Sequence, residues 1–463
     1  MTSVNQVVLI RIFIVRDHGT ELLVEHARPG ARLPVLAIPS YTRPAEELTQ
    51  AIERQWALKT YCLFLEVAEL PSDPAICTAI LEVYLPSAAL PVGMEWVSAL
   101  SLPRSYFCDP WSYATAGRAL KTLEGYRSKQ LAGPFGQPGW LGIVTEWVEA
   151  QAATIHLRLT HNFLQLNASP TFSLIRFETD GPNLWFKAVG EPNVREYPIT
   201  LALAKSVPEY IPTVIAAHSD WNAWLAIEAE GTHLGADSTA EDWVTVINSL
   251  TNLQIAALGH ARAVLEYGAR DARPVVLDGL VDGFFEEAAV FLEEHQSICT
   301  DPFPRNEMLR LAGEIRRCLD LLQSCCLPNV LGHFDFSPTN ILISGQRCVF
   351  LDWAEACIGT PTLTLVGALE TFEACNNHSS EARRVLISQF IKGWSAFEST
   401  TAITQAIEVS PLIAPFARFV TSTAWKRRHQ FATPNLGKSV KKCLRRMQRA
   451  FEPHSNRRIA CLT

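Results

Sequence analysis

The chain has 463 residues, of which 48% are hydrophobic and 19% charged, with a formal net charge of −7. That length suits two or three domains, and an apolar fraction near one half excludes wholesale disorder. The acidic balance gives no argument for nucleic acid as a partner, and the 12 cysteines form no paired C-x-x-C sets, so reduced thiols in a cytoplasm are expected.

The first 105 residues read as a separate unit. Residues 7–15 alternate like a strand and are interrupted by Arg11, which makes them too short and too polar for a signal or membrane helix. No membrane partner is expected. A second strand covers 21–25, a helix 44–58, and further strands 61–67, 77–85 and 94–100. This order, with Leu36-Ala37-Ile38-Pro39 before the helix and Glu95-Trp96-Val97 near the end, resembles the Nudix hydrolase fold. That family's helix carries an R-E-x-x-E-E cluster whose glutamates bind Mg²⁺. The aligned stretch in this chain is Arg54-Gln55-Trp56-Ala57-Leu58-Lys59, with Gln, Leu and Lys at the acidic positions. Without those carboxylates there is no metal cage and no activated water. The resemblance therefore implies a degenerate Nudix-like module that binds or scaffolds.

Residues 106–155 form a Pro/Gly-marked helical connector. Its segment 139–151 is an amphipathic helix with Trp140 and Trp147 seven apart, suited to packing neighbouring units together.

From 156 to 232 the pattern returns to strands. Residues 172–179 alternate, Asp180-Gly181-Pro182-Asn183 is a turn, and 184–189 is a second strand that carries Lys187. Glu196 opens a helical pattern continued by Ile199, Leu201, Leu203 and Ala204, and 207–216 and 224–231 read as strands. The loop before the first of these strands, Asn167-Ala168-Ser169-Pro170-Thr171, contains no glycine. Phosphate-cradling loops usually use Gly, so the Ser169 and Thr171 hydroxyls are the candidate donors there. No Walker-type loop competes, since Gly437-Lys438-Ser439 lacks the upstream glycine.

Residues 233–463 are mostly helical by period, with helices at 243–255, 277–294 and 306–326. His233, His260 and His295 lie singly and read as surface or packing residues. The densest chemistry follows, in His333-Phe334-Asp335-Phe336-Ser337-Pro338-Thr339-Asn340. Residues 341–343 form a short strand, Ser344-Gly345-Gln346-Arg347 a turn, and 348–351 a returning strand that ends at Asp352-Trp353. Antiparallel pairing brings Asn340 and Asp352 side by side, a pair of hard oxygen ligands that suits Mg²⁺. Asp335 can reach the same place and accept a proton from an attacking hydroxyl. Each residue alone would pass for a turn or capping residue.

Together with Gly359-Thr360-Pro361, this stretch resembles the aminoglycoside phosphotransferase and choline kinase group of protein-kinase-like folds. The resemblance implies an α+β protein: a bilobal protein-kinase-like phosphotransferase fold preceded by a small Nudix-like α/β domain. It implies ATP and Mg²⁺ as cofactors, a small-molecule hydroxyl acceptor, Asp335 as catalytic base, and Asn340 and Asp352 as metal ligands. It also implies that Lys187, paired with Glu196, holds nucleotide phosphates. Two positions depart from the family pattern, Phe334 for Gly and Thr364 for an Asp. The alternative is a catalytically weak pseudokinase that senses a nucleotide or ligand. Residues 426–458 hold 11 Lys/Arg against Glu452 alone, with Val440, Leu444, Met447 and Phe451 at helical spacing. That pattern reads as a solvated helix with one packed stripe. Asn377-His378-Ser379 matches a glycosylation sequon, which has no meaning without a secretory route.

Overall fold

The computed structural model describes residues 7–40, 43–67, 75, 77–85, 90–99, 102–128, 134–294, 303–375, 380–429 and 434–462. His295 and the sequon at 377–379 lie outside them. The chain clusters into two compact units, Met1–Tyr197 with Val214–Glu228, and Pro198–Thr213 with Ala229–Thr463.

The first unit opens with β1 (Val7–Arg16), β2 (Glu21–His26), β3 (Ala31–Arg32), β4 (Val35–Pro39), α1 (Pro44–Trp56), β5 (Lys59–Val67), β6 (Cys77–Leu85) and β7 (Met94–Ser98). Its seven strands run in the order β3-β2-β1-β6-β5, with β4 also on β1 and β7 on β2. β1 and β6 are parallel, with Phe13 opposite Ile80, and the other pairings are antiparallel. β1 is buried on both faces, and its alternation feeds two cores. Ile10, Ile12 and Ile14 pack beneath Leu48, Ala51 and Ile52 of α1. Phe13 and Val15 face the other way.

What they face is a second sheet. The helices α2 (Pro110–Arg127) and α3 (Trp140–Thr154) lead to β8 (Leu159–Ser169), β9 (Phe172–Thr179) and β10 (Leu184–Val189). β11 (Val214–His218) and β12 (Ala223–Ile227) complete a five-stranded antiparallel sheet, ordered β11-β12-β10-β9-β8. Phe13, Val15, Trp140, Val144, Ile175 and Phe186 belong to one continuous apolar cluster. Trp140 and Trp147 both lie against Phe186, with ring centroids 6.3 and 5.9 Å away. The Gln165 side chain accepts from the Cys62 N–H at 2.8 Å and donates to the Cys62 carbonyl at 2.7 Å, so it satisfies both backbone groups of a strand in the neighbouring sheet.

β8 is a strand that the residue pattern did not predict. It is bulged in two places against β9, which blurs its alternation. The segment expected as strand from 207 instead begins with a 3-10 turn at Pro208–Tyr210, because Pro208 cannot donate to a ladder.

In the second unit, α4 (Glu196–Ser206) is inherited across the boundary, and β13 (Thr232–His233), α5 (Ala240–Ala256), α6 (Ala261–Glu266), β14 (Arg270–Ala272), α7 (Pro274–Asp278), α8 (Val281–Glu294) and α9 (Arg305–Ser324) follow. Then come β15 (Val330–His333), β16 (Ile341–Ser344), β17 (Arg347–Phe350), β18 (Ala356–Gly359), α10 (Pro361–Cys375), α11 (Ser380–Trp394), α12 (Thr400–Val420), α13 (Thr423–Lys426) and α14 (Pro434–Leu462). The expected helix at 277–294 is split into α7 and α8, with Gly279 capping the first. Two small sheets, β13-β16-β17 and β14-β18-β15, are set among the helices. Val440, Leu444 and Met447 of α14 are fully buried, as their spacing predicts. No helix among the described residues is long and apolar enough to cross a membrane. The fold is mixed α+β.

Candidate active site

In the second unit the site is built on the β16–β17 hairpin. Gly345 takes φ +62° at its tip, the conformation that the tight turn requires. The register pairs Ile341 with Phe350 and Ser344 with Arg347. One step further, the Leu351 N–H donates to the Asn340 carbonyl at 2.8 Å. Asn340 thus lies opposite Leu351 rather than Asp352, and Asp352 follows one residue beyond the open end of the hairpin. Asp352 has φ +61° and ψ +70°, a left-handed backbone that a non-glycine residue adopts only when its surroundings enforce it.

Asp335 lies in the loop that leads into the hairpin. The Asn340 side-chain amide donates to the Asp335 carbonyl and to its carboxylate Oδ2, both at 3.1 Å. The amide nitrogen is thereby committed to Asp335, which leaves Asn340 Oδ1 as the atom to meet a cation. Arg418 of α12 stands 3.9 Å from the other carboxylate oxygen of Asp335.

His333 ties the loop to the hairpin. Its Nδ1 accepts from the Asp335 N–H at 3.2 Å, so Nε2 carries the proton and donates to the Leu351 carbonyl at 3.0 Å. Burial pushes the imidazole pKa below its ordinary value, against the opposing pull of the Leu351 carbonyl and of Asp352 and Asp335. A neutral ring is the form that can accept from one strand end and donate to the other. The Thr364 hydroxyl accepts from the His333 N–H at 3.1 Å. The threonine thereby satisfies a buried backbone donor of the loop. Phe334 is buried in the core.

In the first unit, Lys187 on β10 meets Glu196, the first residue of α4, with Nζ to Oε1 at 2.5 Å. Both side chains are nearly excluded from solvent, at 11% and 2% exposure. Lys187 Nζ also lies 5.5 Å from the centroid of Phe172 and 5.6 Å from that of Trp224. A buried pair of this kind needs compensation for lost hydration, and the two aromatic faces supply part of it. Ser169 and Thr171 hold the turn between β8 and β9. Their hydroxyls are 3.1 Å apart, and Ser169 Oγ accepts from the Thr171 N–H at 3.0 Å. The Gly190 N–H donates to the Thr171 carbonyl at 2.7 Å, and a Cβ at Gly190 would approach that oxygen to 3.1 Å. This glycine provides the close approach that the turn itself, lacking glycine, does not.

Residues 195–400 match the phosphotransferase enzyme family. The match takes in Glu196, Asp335, Asn340 and Asp352, and begins after Lys187. No curated protein matches the chain. Among solved structures, choline kinase from Cryptosporidium parvum Iowa II is similar at 14% identity, with a TM-score of 0.48 over 68% of this chain and 97% of that one. Macrolide 2'-phosphotransferase from Brachybacterium faecium is similar at 14% identity, with a TM-score of 0.43 over 65% of this chain and 97% of that one. Choline kinase from Streptococcus pneumoniae gives 12% identity and a TM-score of 0.43 over 67% and 98%.

Four cationic residues of one cavity, of which Arg418 reaches Asp335, are not marked by any motif. Arg418 is one, and Arg270, which pairs with Glu355 and donates to the Arg418 carbonyl at 3.1 Å, is another. Lys442 and Arg446 of α14 line the same cavity as Arg270 and Arg418. Arg270 shares no local pattern with the others, and Lys442 and Arg446 belong to a segment whose composition reads as solvated.

In the N-terminal sheet, Arg54 and Gln55 of α1 are exposed. Among the described residues, no group of three or more His, Cys, Asp or Glu is placed to hold a metal. The Asn340–Asp352 pair contributes one carboxylate and one amide.

Proposed function

We propose that the chain is an ATP-dependent phosphotransferase that moves the γ-phosphoryl group to a hydroxyl of a small polar molecule. The observation that carries this reading is the pinning of Asn340 to Asp335 at the open end of a hairpin whose register opposes Asn340 to Leu351, with Asp352 the next residue along. Asp335 is the base: it orients the acceptor hydroxyl and takes its proton. The acceptor oxygen bonds to the γ-phosphorus, the bond from that phosphorus to the β,γ-bridging oxygen breaks, and ADP leaves with the electron pair.

Asn340 and Asp352 fit Mg²⁺, which takes one or two protein oxygens and completes its shell with phosphate and water. Mg²⁺, when bound, neutralises charge on the transferring group. Lys187, fixed by Glu196, pairs with nucleotide phosphates. Ser169 and Thr171 support the turn at their strand ends, and their hydroxyls are the donors it offers. The N-terminal sheet is, on this reading, a Nudix-like module without hydrolytic chemistry. The test is ADP formation from Mg-ATP against panels of sugars, amino alcohols, nucleosides and aminoglycosides. Equal rates for wild type and Asp335→Ala would sink the mechanism.

A nucleotide sensor is the second reading, and the Ser169–Thr171 contact favours it, because hydroxyls bonded to each other are less free for phosphate. Mg-ATP binding without turnover across the full acceptor panel would select it.

A further inference from the structure

A cavity of about 560 Å³ opens in the second unit, within the range of small-molecule sites. Its wall includes Arg270, Glu355, Arg418, Ser439, Lys442 and Arg446, which is four cations against one carboxylate. Two of the cations are balanced by neighbours, Arg270 by Glu355 and Arg446 by Glu370. Among the described residues, Arg418 has as its ion-pair partner Asp335 alone, at a long 3.9 Å, and Lys442 is exposed and makes no ion pair. Counting Glu355, Glu370 and Asp335 against the four cations still leaves one positive charge.

Arg418 is a wall shared by the cavity and the Asp335 carboxylate. It therefore places the positive field directly beside the proposed base. Arg418, Lys442 and Arg446 all lie beyond residue 400, where the family match ends. The charge comes from α12 and α14. On α14, Ser439, Lys442 and Arg446 follow helical spacing on the face beside the buried Val440 and Leu444 stripe.

We propose that this cavity binds the anionic end of the phosphoryl acceptor, a small molecule that carries a hydroxyl and a carboxylate or phosphate group. The proposal rests on the phosphotransferase reading: the acceptor oxygen bonds to the γ-phosphorus, Asp335 takes the hydroxyl proton, and ADP leaves. The hydroxyl lies at Asp335, and the anion lies against Arg418 and Lys442. A cationic acceptor meets like charge in the same place and is disfavoured.

The experiment uses the full chain with Mg-ATP and acceptors matched in size: glycerol 3-phosphate and glycerate against glycerol and ethanolamine. The expected result is ADP formation stimulated by the anionic members. Lys442→Glu is expected to raise their KM about tenfold, the effect of losing one charge-assisted contact, with the KM for ATP unchanged. Cationic acceptors used as well as anionic ones, or a Lys442→Glu enzyme with unchanged KM for the anions, overturns the proposal. If no acceptor of any charge is turned over, calorimetric titration with inorganic phosphate, glycerate and glycerol 3-phosphate separates the two ideas. Binding to wild type that is weakened in Lys442→Glu keeps the anion site and removes the kinase reading. No binding of any of the three overturns the anion site itself.

Discussion

The Asn340 amide donates to Asp335 twice, to its backbone carbonyl and to its carboxylate, so one residue sets both the position of the loop and the direction of that carboxylate. Loop placement and carboxylate orientation are coupled through a single side chain. A substitution at either residue is therefore felt at the other.

Asp335→Asn keeps the shape and the hydrogen-bonding size of the side chain but removes the base. The rate of phosphoryl transfer is expected to fall by about a hundred- to ten-thousand-fold, while the KM for ATP changes little. Steady-state ADP release with a productive acceptor measures both.

Asp352→Asn and Asn340→Ala should act on metal demand before they act on anything else. The Mg²⁺ concentration for half-maximal activity is expected to rise about 10- to 100-fold in each, as for other perturbed metal sites. A magnesium titration at saturating ATP reads this. A curve that superimposes on wild type removes the pair from the metal site.

Lys187 and Glu196 are both nearly buried, so removing one leaves the other as an uncompensated charge. Glu196→Ala is expected to lower stability by about 3–5 kcal/mol, measured by urea unfolding with tryptophan fluorescence. Lys187→Met leaves a buried carboxylate that takes up a proton, so it should destabilise less at low pH than at neutral pH, and it should raise the KM for ATP.

Thr364→Val keeps the volume at a buried position and deletes the acceptor for the His333 N–H. A loss of about 1–3 kcal/mol is expected from the stranded donor. Gly332 sits in the same crowded place: an added Cβ would meet Thr364 Oγ1 at 2.6 Å and Cys357 Sγ at 2.8 Å, so Gly332→Ala should also destabilise.

Glu82 gives a pH prediction in the first unit. Burial pushes its carboxyl pKa above 4.5, and the Gly139 N–H and His18 oppose the shift only in part. With the folded pKa raised, the group favours folding below the unfolded value, and that contribution is lost as pH rises through the folded one. Glu82→Gln should therefore raise the melting temperature near pH 7 and lose its advantage as pH falls towards 4.5. A thermal melt series over pH checks it, and an equal gain at pH 4 would contradict burial of the charged carboxylate as the cause.

The hairpin was legible because every determinant of its geometry is local. A turn at Gly345 fixes the register, and the register fixes Asn340 against Leu351. Lys187 and Glu196 were legible for a similar reason, nine residues apart across one turn into one helix. The cavity was not. Arg270, Arg418 and Arg446 meet only through the packing of β14, α12 and α14, and no short spacing records that. The apolar stripe of α14 shows in its spacing, but which part of its charged face meets solvent depends on α12, a separate helix that ends at Val420. β8 was lost to its bulges, and the break between α7 and α8 to a glycine inside an otherwise helical run.

The two sheets of the first unit share one apolar cluster, in which Phe13 and Val15 sit with Trp140 and Phe186. A clone begun at residue 156 would strip that cluster of most of its buried members, 22 of 29, and expose the inner face of the strand that carries Lys187. Such a fragment should aggregate when expressed. In a calorimeter the intact first unit should give one endotherm for both sheets, with no separate early peak for the N-terminal one.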